Sequence, residues 1–274
     1  MKALLRIVQA FQEAIFPVKC PVCESFFHWK QDGGAFPETA DGSGAGKTLS
    51  GERALFESTM SGCLCPQCRK KFSPALSPLC RRCGTLFATP EGEDHLCSSC
   101  ITRPKYFQKA RSAGIYDTTL MRLIHRFKYE GDIHLAHPLG KLLFGTYRQF
   151  FEQGAPDLIV PVPLHIRRFR ERGFNQAYLL VRDWRKLESG APPVEKDILF
   201  RSHRTQPQTG LKRKDRIRNI MNAFSVNPKA AIAGKKVLLV DDVYTTGATL
   251  DECARVLLEA GAERVDAVTL ARAV

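Results

Sequence analysis

The apolar positions divide this chain into two parts. From residue 104 onward, short apolar runs alternate with stretches of helical periodicity. Residues 112–116 predict a strand, and Leu120, Leu123, Ile124 and Phe127 mark one face of a helix entered at Thr118/Thr119. A second helical stretch covers 135–151, and the apolar run 157–162 predicts a buried strand. Residues 175–187 are again helical in pattern, 194–200 read as a strand, 211–221 as a basic helix and 223–226 as an extended segment. Lys236–Val240, Ala248–Ala260 and Arg264–Leu270 then form a strand–helix–strand unit, with Gly261 ending the helix. Such alternation predicts an α/β fold: a mostly parallel sheet with helices on both faces, whose ligands bind beyond the carboxyl ends of the strands.

The first hundred residues lack this alternation. Leu4, Val8, Phe11 and Ile15 recur at helical spacing, which predicts an amphipathic packing helix over 1–18, with membrane-surface attachment as the weaker reading. Arg6, Gln9, Gln12 and Glu13 interrupt that stretch, so it has no signal-peptide core. No uncharged apolar run approaches the roughly 18 residues of a membrane-spanning helix.

Cysteine changes the picture here. Nine of the ten cysteines precede residue 101, and eight form the C-x-x-C pairs Cys20/Cys23, Cys65/Cys68, Cys80/Cys83 and Cys97/Cys100. With no export signal, the expected compartment is the reducing cytoplasm, where such pairs more often hold metal than form disulfides. Two knuckles supply four thiolates, a closed tetrahedral shell that suits structural zinc. Iron–sulfur ligation is the alternative, and a thioredoxin-like role lacks its βαβ context. The second two pairs are separated by 13 residues, a compact ribbon; the first two would close another ribbon across a long insertion. The expectation is a double zinc ribbon over 19–103 with about two zinc ions and a flexible insertion at about 30–60. Cys63, two residues from Cys65, is a competing ligand candidate, and Cys253 sits in an apolar helical pattern that predicts a small core residue. Gly42–Thr48 resembles a Walker loop but is one residue short and follows no strand; Gly33–Gly51 reads as a flexible linker with a chance match.

Charge is as uneven as cysteine. The net charge is +13, of which residues 165–218 alone contribute +9, from 15 basic and 6 acidic side chains. That concentration suits an anionic partner such as nucleic acid or a phosphorylated small molecule.

The most specific chemistry follows the strand at Val240. Asp241 and Asp242 are adjacent carboxylates that can accept hydrogen bonds from a sugar diol or hold Mg²⁺ indirectly. Thr245, Thr246, Gly247, Ala248 and Thr249 supply hydroxyls and backbone amides at a helix N-terminus, a phosphate cradle. Diol acceptor and phosphate cradle together describe a pocket for ribose 5-phosphate.

Residues 237–249, with Val243 and Tyr244 between carboxylates and cradle, resemble the phosphoribosyl pyrophosphate (PRPP) fingerprint of type I phosphoribosyltransferases. The wider chain resembles the ComF family through Phe127-Lys-Tyr-Glu-Gly-Asp132, Val160-Pro-Val-Pro163, Arg172-Gly-Phe-Asn-Gln176, Thr205-Gln-Pro-Gln208 and Arg218-Asn219. That resemblance implies a type I phosphoribosyltransferase-like domain over 104–274 behind the zinc ribbon, and a role in uptake of single-stranded DNA during natural transformation. By position, Asp241 and Asp242 would face the ribose hydroxyls and act in any catalysis, and 245–249 would hold the 5-phosphate. Arg167, Arg168, Arg170 and Arg172 lie in the loop where the family would bind pyrophosphate, and nucleic acid is their other anionic candidate. Three functions are open: a phosphoribosyltransferase using PRPP and Mg²⁺ on an unidentified acceptor, a DNA-uptake factor working with uptake-machinery proteins, and a non-catalytic PRPP sensor.

Overall fold

The computed structural model describes residues 18–27, 49–89, 92–201 and 220–274. The expected N-terminal helix (residues 1–17 of it), the Gly42–Thr48 segment, the first nine residues of the basic helix at 211–221, and the segments 205–208 and 218–219 lie outside them.

Four strands form one parallel sheet in the order β3 (Ala110–Ile115), β8 (Arg264–Arg272), β7 (Lys236–Tyr244), β4 (Leu158–Pro161). The central strands β7 and β8 are buried almost throughout because both sheet faces are covered. Alternate residues divide between two cores. Leu238 and Val240 pack on the face carrying α4 (Thr118–Tyr129), α5 (Ala136–Phe151) and α7 (Gln176–Val181). Val237 and Leu239 pack on the face carrying α9 (Ala248–Glu259).

Several expectations sharpen. Helix α4 is capped by Asp117, one residue earlier than expected, whose side chain accepts hydrogen bonds from the amides of Thr119 and Leu120. The stretch 175–187 is two short helices, α7 and α8 (Trp184–Leu187), joined at Arg182–Asp183; Trp184 is fully buried, and its Nε1 donates to the Gly140 carbonyl at 3.2 Å. Of the strand expected over 194–200, only Leu199 and Phe200 enter β5 (Leu199–Arg201), which pairs antiparallel with β6 (Phe224–Val226) outside the main sheet. The arginine-rich segment after Pro163 is no loop but the helix α6 (Ile166–Arg172), ended by Gly173.

The two cysteine groups share one construction. In the first, Cys20 and Cys23 lie on the turn between β1 (Val18–Lys19) and β2 (Phe26–Phe27). Cys65 caps α2 (Pro66–Lys70), which contains Cys68. In the second, Cys80 and Cys83 lie on a turn closed by Cys80 N–H to the Thr85 carbonyl at 2.8 Å, and Cys97 caps α3 (Ser98–Thr102), which contains Cys100. Within the stretch expected to be flexible, Leu49–Met60 forms α1. The helix is held by core residues: Phe56 stacks on Phe72 at 3.9 Å and, with Met60, is fully buried. Cys20, Cys65 and Cys68 pack into the same core as α4 and α5; Cys80, Cys83 and Cys100 pack into the core on the opposite face.

Candidate phosphoribosyl site and cysteine centres

Strand β7 does not stop at Val240. Its ladder with β8 continues through Asp241–Thr269, Val243–Ala271 and Tyr244–Arg272, so both carboxylates belong to the strand. Alternation then sends them to opposite faces of the sheet. Asp242 turns toward α4, where Lys128 Nζ donates to its Oδ1 at 2.6 Å; the two side chains are only 5% and 16% exposed. Burial favours the neutral amine, but the attraction of Asp242 outweighs it and raises the Lys128 pKa. Asp242 Oδ2 is buried and has no hydrogen-bond partner among the described residues. Asp241 lies on the α9 side and accepts from the Asp242 amide at 2.9 Å. Burial, then repulsion from Asp242, pushes its pKa up to about 7.

The strand leads directly into the expected cradle. Gly247 caps α9 with φ +73°, and a Cβ there would collide with the Tyr244 hydroxyl, so only glycine fits. Thr246 Oγ1 accepts from the Ala248 amide at 3.3 Å. Ala248, Thr249 and Leu250, which open α9, line the cavity at the carboxyl end of the sheet, where a helix N-terminus favours an anion.

One cavity of about 760 Å³ gathers these elements. Asp241, Asp242, Val243, Tyr244, Thr245, Gly247, Ala248 and Thr249 line it; Thr246 is spent on the turn instead. Of the four arginines, Arg168 and Arg172 line the cavity. Arg167 and Arg170 are exposed on the outer side of α6, with Arg167 Nε 3.4 Å from Glu171 Oε1. The structure adds Tyr116, His125, Lys128, Tyr129, Gln176 and Arg201, none of them assigned a role from sequence. Arg172 ties two of these together: its guanidinium lies 4.7 Å from the Tyr129 ring centroid, and its Nη1 donates to Gln176 Oε1 at 3.0 Å. A signal for Lys128 existed, because it continues the buried stripe of Leu120, Ile124 and Phe127 at helical spacing.

The ligating atoms of Cys20, Cys23, Cys65 and Cys68 lie within 4.8 Å of one another, as do those of Cys80, Cys83, Cys97 and Cys100. Four thiolates around one ion at the zinc–sulfur distance of about 2.3 Å sit about 3.8 Å apart in a tetrahedron. The Cys23–Cys65 and Cys83–Cys97 sulfur separations are 3.6 and 3.8 Å, so each group can hold a metal ion. All ten cysteines are free thiols. Cys63 stays outside the first group, its Sγ donating to the Met60 carbonyl at 3.6 Å, and Cys253 is a fully buried core residue.

A parallel sheet that ends in an acidic pair, followed by a glycine-capped helix, defines a protein of the phosphoribosyltransferase class. Residues 191–273 accordingly match the model of the phosphoribosyl transferase domain family. The chain belongs to the ComF family. It is 34% identical over 218 residues to Competence protein F of Haemophilus influenzae, covering 77% of this chain and 90% of that protein. It is 33% identical to the DNA utilization protein YhgH of Escherichia coli K12, covering 71% and 84%, and 30% identical to Competence protein ComFC of Bacillus subtilis, covering 80% and 88%. No helix among the described residues is long and apolar enough to cross a membrane.

Proposed function

We propose that this ComF-family protein binds PRPP or ribose 5-phosphate with Mg²⁺ and acts in the handling of single-stranded DNA during uptake. One observation carries the first half: the carboxylates of β7 and the phosphate cradle of α9 line a single cavity beyond the sheet's carboxyl end. Asp241, with a carboxylate that ionises near neutrality, accepts hydrogen bonds from the ribose hydroxyls. The buried Asp242 Oδ2 offers a second acceptor, while Lys128 holds the other oxygen. The amides at the start of α9, with Thr245 and Thr249, take the 5-phosphate, and Arg168 and Arg172 face the pyrophosphate.

The paired carboxylates are the oxygen donors that Mg²⁺ prefers, and they fit it as direct or water-mediated ligands. When bound, Mg²⁺ would neutralise pyrophosphate charge. The thiolate groups fit zinc at two structural sites.

The second half rests on the names of the relatives and on α6. Its outer face carries Arg167 and Arg170 beside the exposed apolar side chains of Ile166 and Phe169. Interleaved cations and apolar surface suit the backbone and bases of a single strand.

Titrating PRPP and ribose 5-phosphate into the full-length protein with Mg²⁺ tests the ligand reading, and binding of neither at millimolar concentration overturns it. A pyrophosphate-release assay with panels of nucleobases and DNA separates a phosphoribosyltransferase from a PRPP-regulated DNA-handling protein.

A further inference from the structure

We propose that the Cys80/Cys83/Cys97/Cys100 centre is coupled to the phosphate cradle through Arg272 and Tyr244, so that metal at this centre tightens phosphate binding. The inference rests on the ligand reading above and adds a form of regulation to the same site.

Arg272 is the last residue of β8 and is buried. Its Nη1 donates to the Cys83 carbonyl at 2.5 Å, and its Nη2 donates to Thr85 Oγ1 and lies 3.6 Å from Cys83 Sγ. A shell of four thiolates around a divalent ion has excess negative charge, and a buried guanidinium against one sulfur offsets it. The opposite side of the bridge is Tyr244. The Arg272 guanidinium lies 4.1 Å from its ring centroid, and Phe107 meets the same ring edge-on at 6.2 Å. The Tyr244 hydroxyl in turn occupies the space beneath Gly247, the residue that opens the cradle. Displacing Arg272 would free the ring that sets the height of Gly247.

A second tie comes from the other half of the centre. Just beyond α3, which carries Cys100, the Tyr106 amide donates to Asp251 Oδ1 at 2.8 Å and Lys105 Nζ donates to Oδ2 at 3.2 Å. Asp251 lies in the first turn of α9. The Cys83 turn and the α3 segment are joined by Arg82 Nη1 donating to the Lys105 carbonyl at 3.1 Å and the Cys97 amide donating to Cys80 Sγ at 3.4 Å, and a metal held by all four thiolates would add a further tie between two segments that both reach the start of α9. The first centre makes no such link among the described residues. Its contacts run to α4, through Thr119 Oγ1 to the Cys68 carbonyl at 3.4 Å and Arg122 to Glu24 at 3.3 Å.

Coupling of this kind is reciprocal. In a buffered zinc titration of the full-length protein, 10 mM ribose 5-phosphate should raise the affinity of one of two sites at least about fivefold and leave the other unchanged. Cys97→Ser, which spares the Cys83–Arg272 contact, should lose one metal and weaken ribose 5-phosphate binding by a similar factor. Cys65→Ser should lose one metal with binding unchanged. Arg272→Lys keeps the charge but not the two-pronged grip; it should retain both metals and lose most of the linkage, which a purely structural arginine would not do. Equal zinc affinities with and without ribose 5-phosphate, in wild-type protein that binds the ligand, overturn the coupling alone. Zinc-loaded wild-type protein that binds no ribose 5-phosphate overturns the coupling and the ligand reading together.

Discussion

Lys128 Nζ and Asp242 Oδ1 are 2.6 Å apart across the junction of α4 and β7, a buried ion pair in the floor of the candidate site. Lys128 claims one oxygen of the acidic couple, while Asp241, on the other face of the strand, has its pKa pushed up to about 7. Removing one partner strands the other charge away from water. Lys128→Met should therefore destabilise the protein by about 3–5 kcal/mol. Lys128→Met with Asp242→Leu should recover much of that loss. Urea unfolding of the three proteins checks both statements, and equal stabilities of single and double variants would contradict them.

Asp241 makes stability and function oppose one another. Its pKa is raised from 3.8 to about 7, so the folded protein holds this proton more tightly than the unfolded chain. Stability is then lost at up to about 1.4 kcal/mol per pH unit as pH rises from about 4 to about 7, and the loss is complete above that. Asp241→Asn lacks the titration. Relative to wild type it should gain stability as pH rises through this window, while binding ribose 5-phosphate at least about tenfold more weakly. Melting temperatures of both proteins from pH 5 to 8 give the difference curve; a flat curve contradicts the assignment.

Gly247 should tolerate no side chain. Alanine at φ +73° carries a left-handed backbone cost of about 1–2 kcal/mol and meets the Tyr244 hydroxyl as well. Gly247→Ala should lower the melting temperature by several degrees and weaken ribose 5-phosphate binding beyond what thermal destabilisation explains, measured by calorimetry at 15 °C.

Much of this architecture is legible in the sequence. The four knuckles at Cys20/Cys23, Cys65/Cys68, Cys80/Cys83 and Cys97/Cys100 are legible as metal ligands because C-x-x-C sets two sulfurs on one turn, whereas which knuckles share an ion depends on the fold. The core unit of β7, α9 and β8 was readable because its apolar runs, glycines and lengths agree. What was hidden depends on tertiary partners. The two carboxylates look like one diol acceptor in sequence, yet continuation of the β7–β8 ladder puts them on opposite faces, with Lys128 claiming one. Helix α1 reads as linker because its few apolar residues acquire meaning only against α5 and Phe72. Arg272 at the end of β8 carries no local signal; its partners Cys83 and Thr85 lie 189 and 187 residues away.

The division of α6 into an inner and an outer face gives a DNA prediction. Single-stranded DNA binding should weaken with salt, each engaged phosphate adding about −0.7 to the logarithmic slope. Arg167→Glu with Arg170→Glu should flatten that slope by about 1.4 or more while leaving ribose 5-phosphate binding intact, because neither side chain lines the cavity. A slope unchanged by the double substitution places any bound DNA elsewhere on the protein.

The central claim is that Asp241 and the start of α9 form one phosphoribosyl pocket, and calorimetric titration of ribose 5-phosphate into three proteins with Mg²⁺ tests it most directly. Wild type should bind, Asp241→Asn should bind at least about tenfold more weakly, and Thr249→Val should weaken ribose 5-phosphate but leave ribose itself unaffected. Wild-type protein that gives no binding heat at millimolar ligand, or variants that bind as tightly as wild type, would contradict the account.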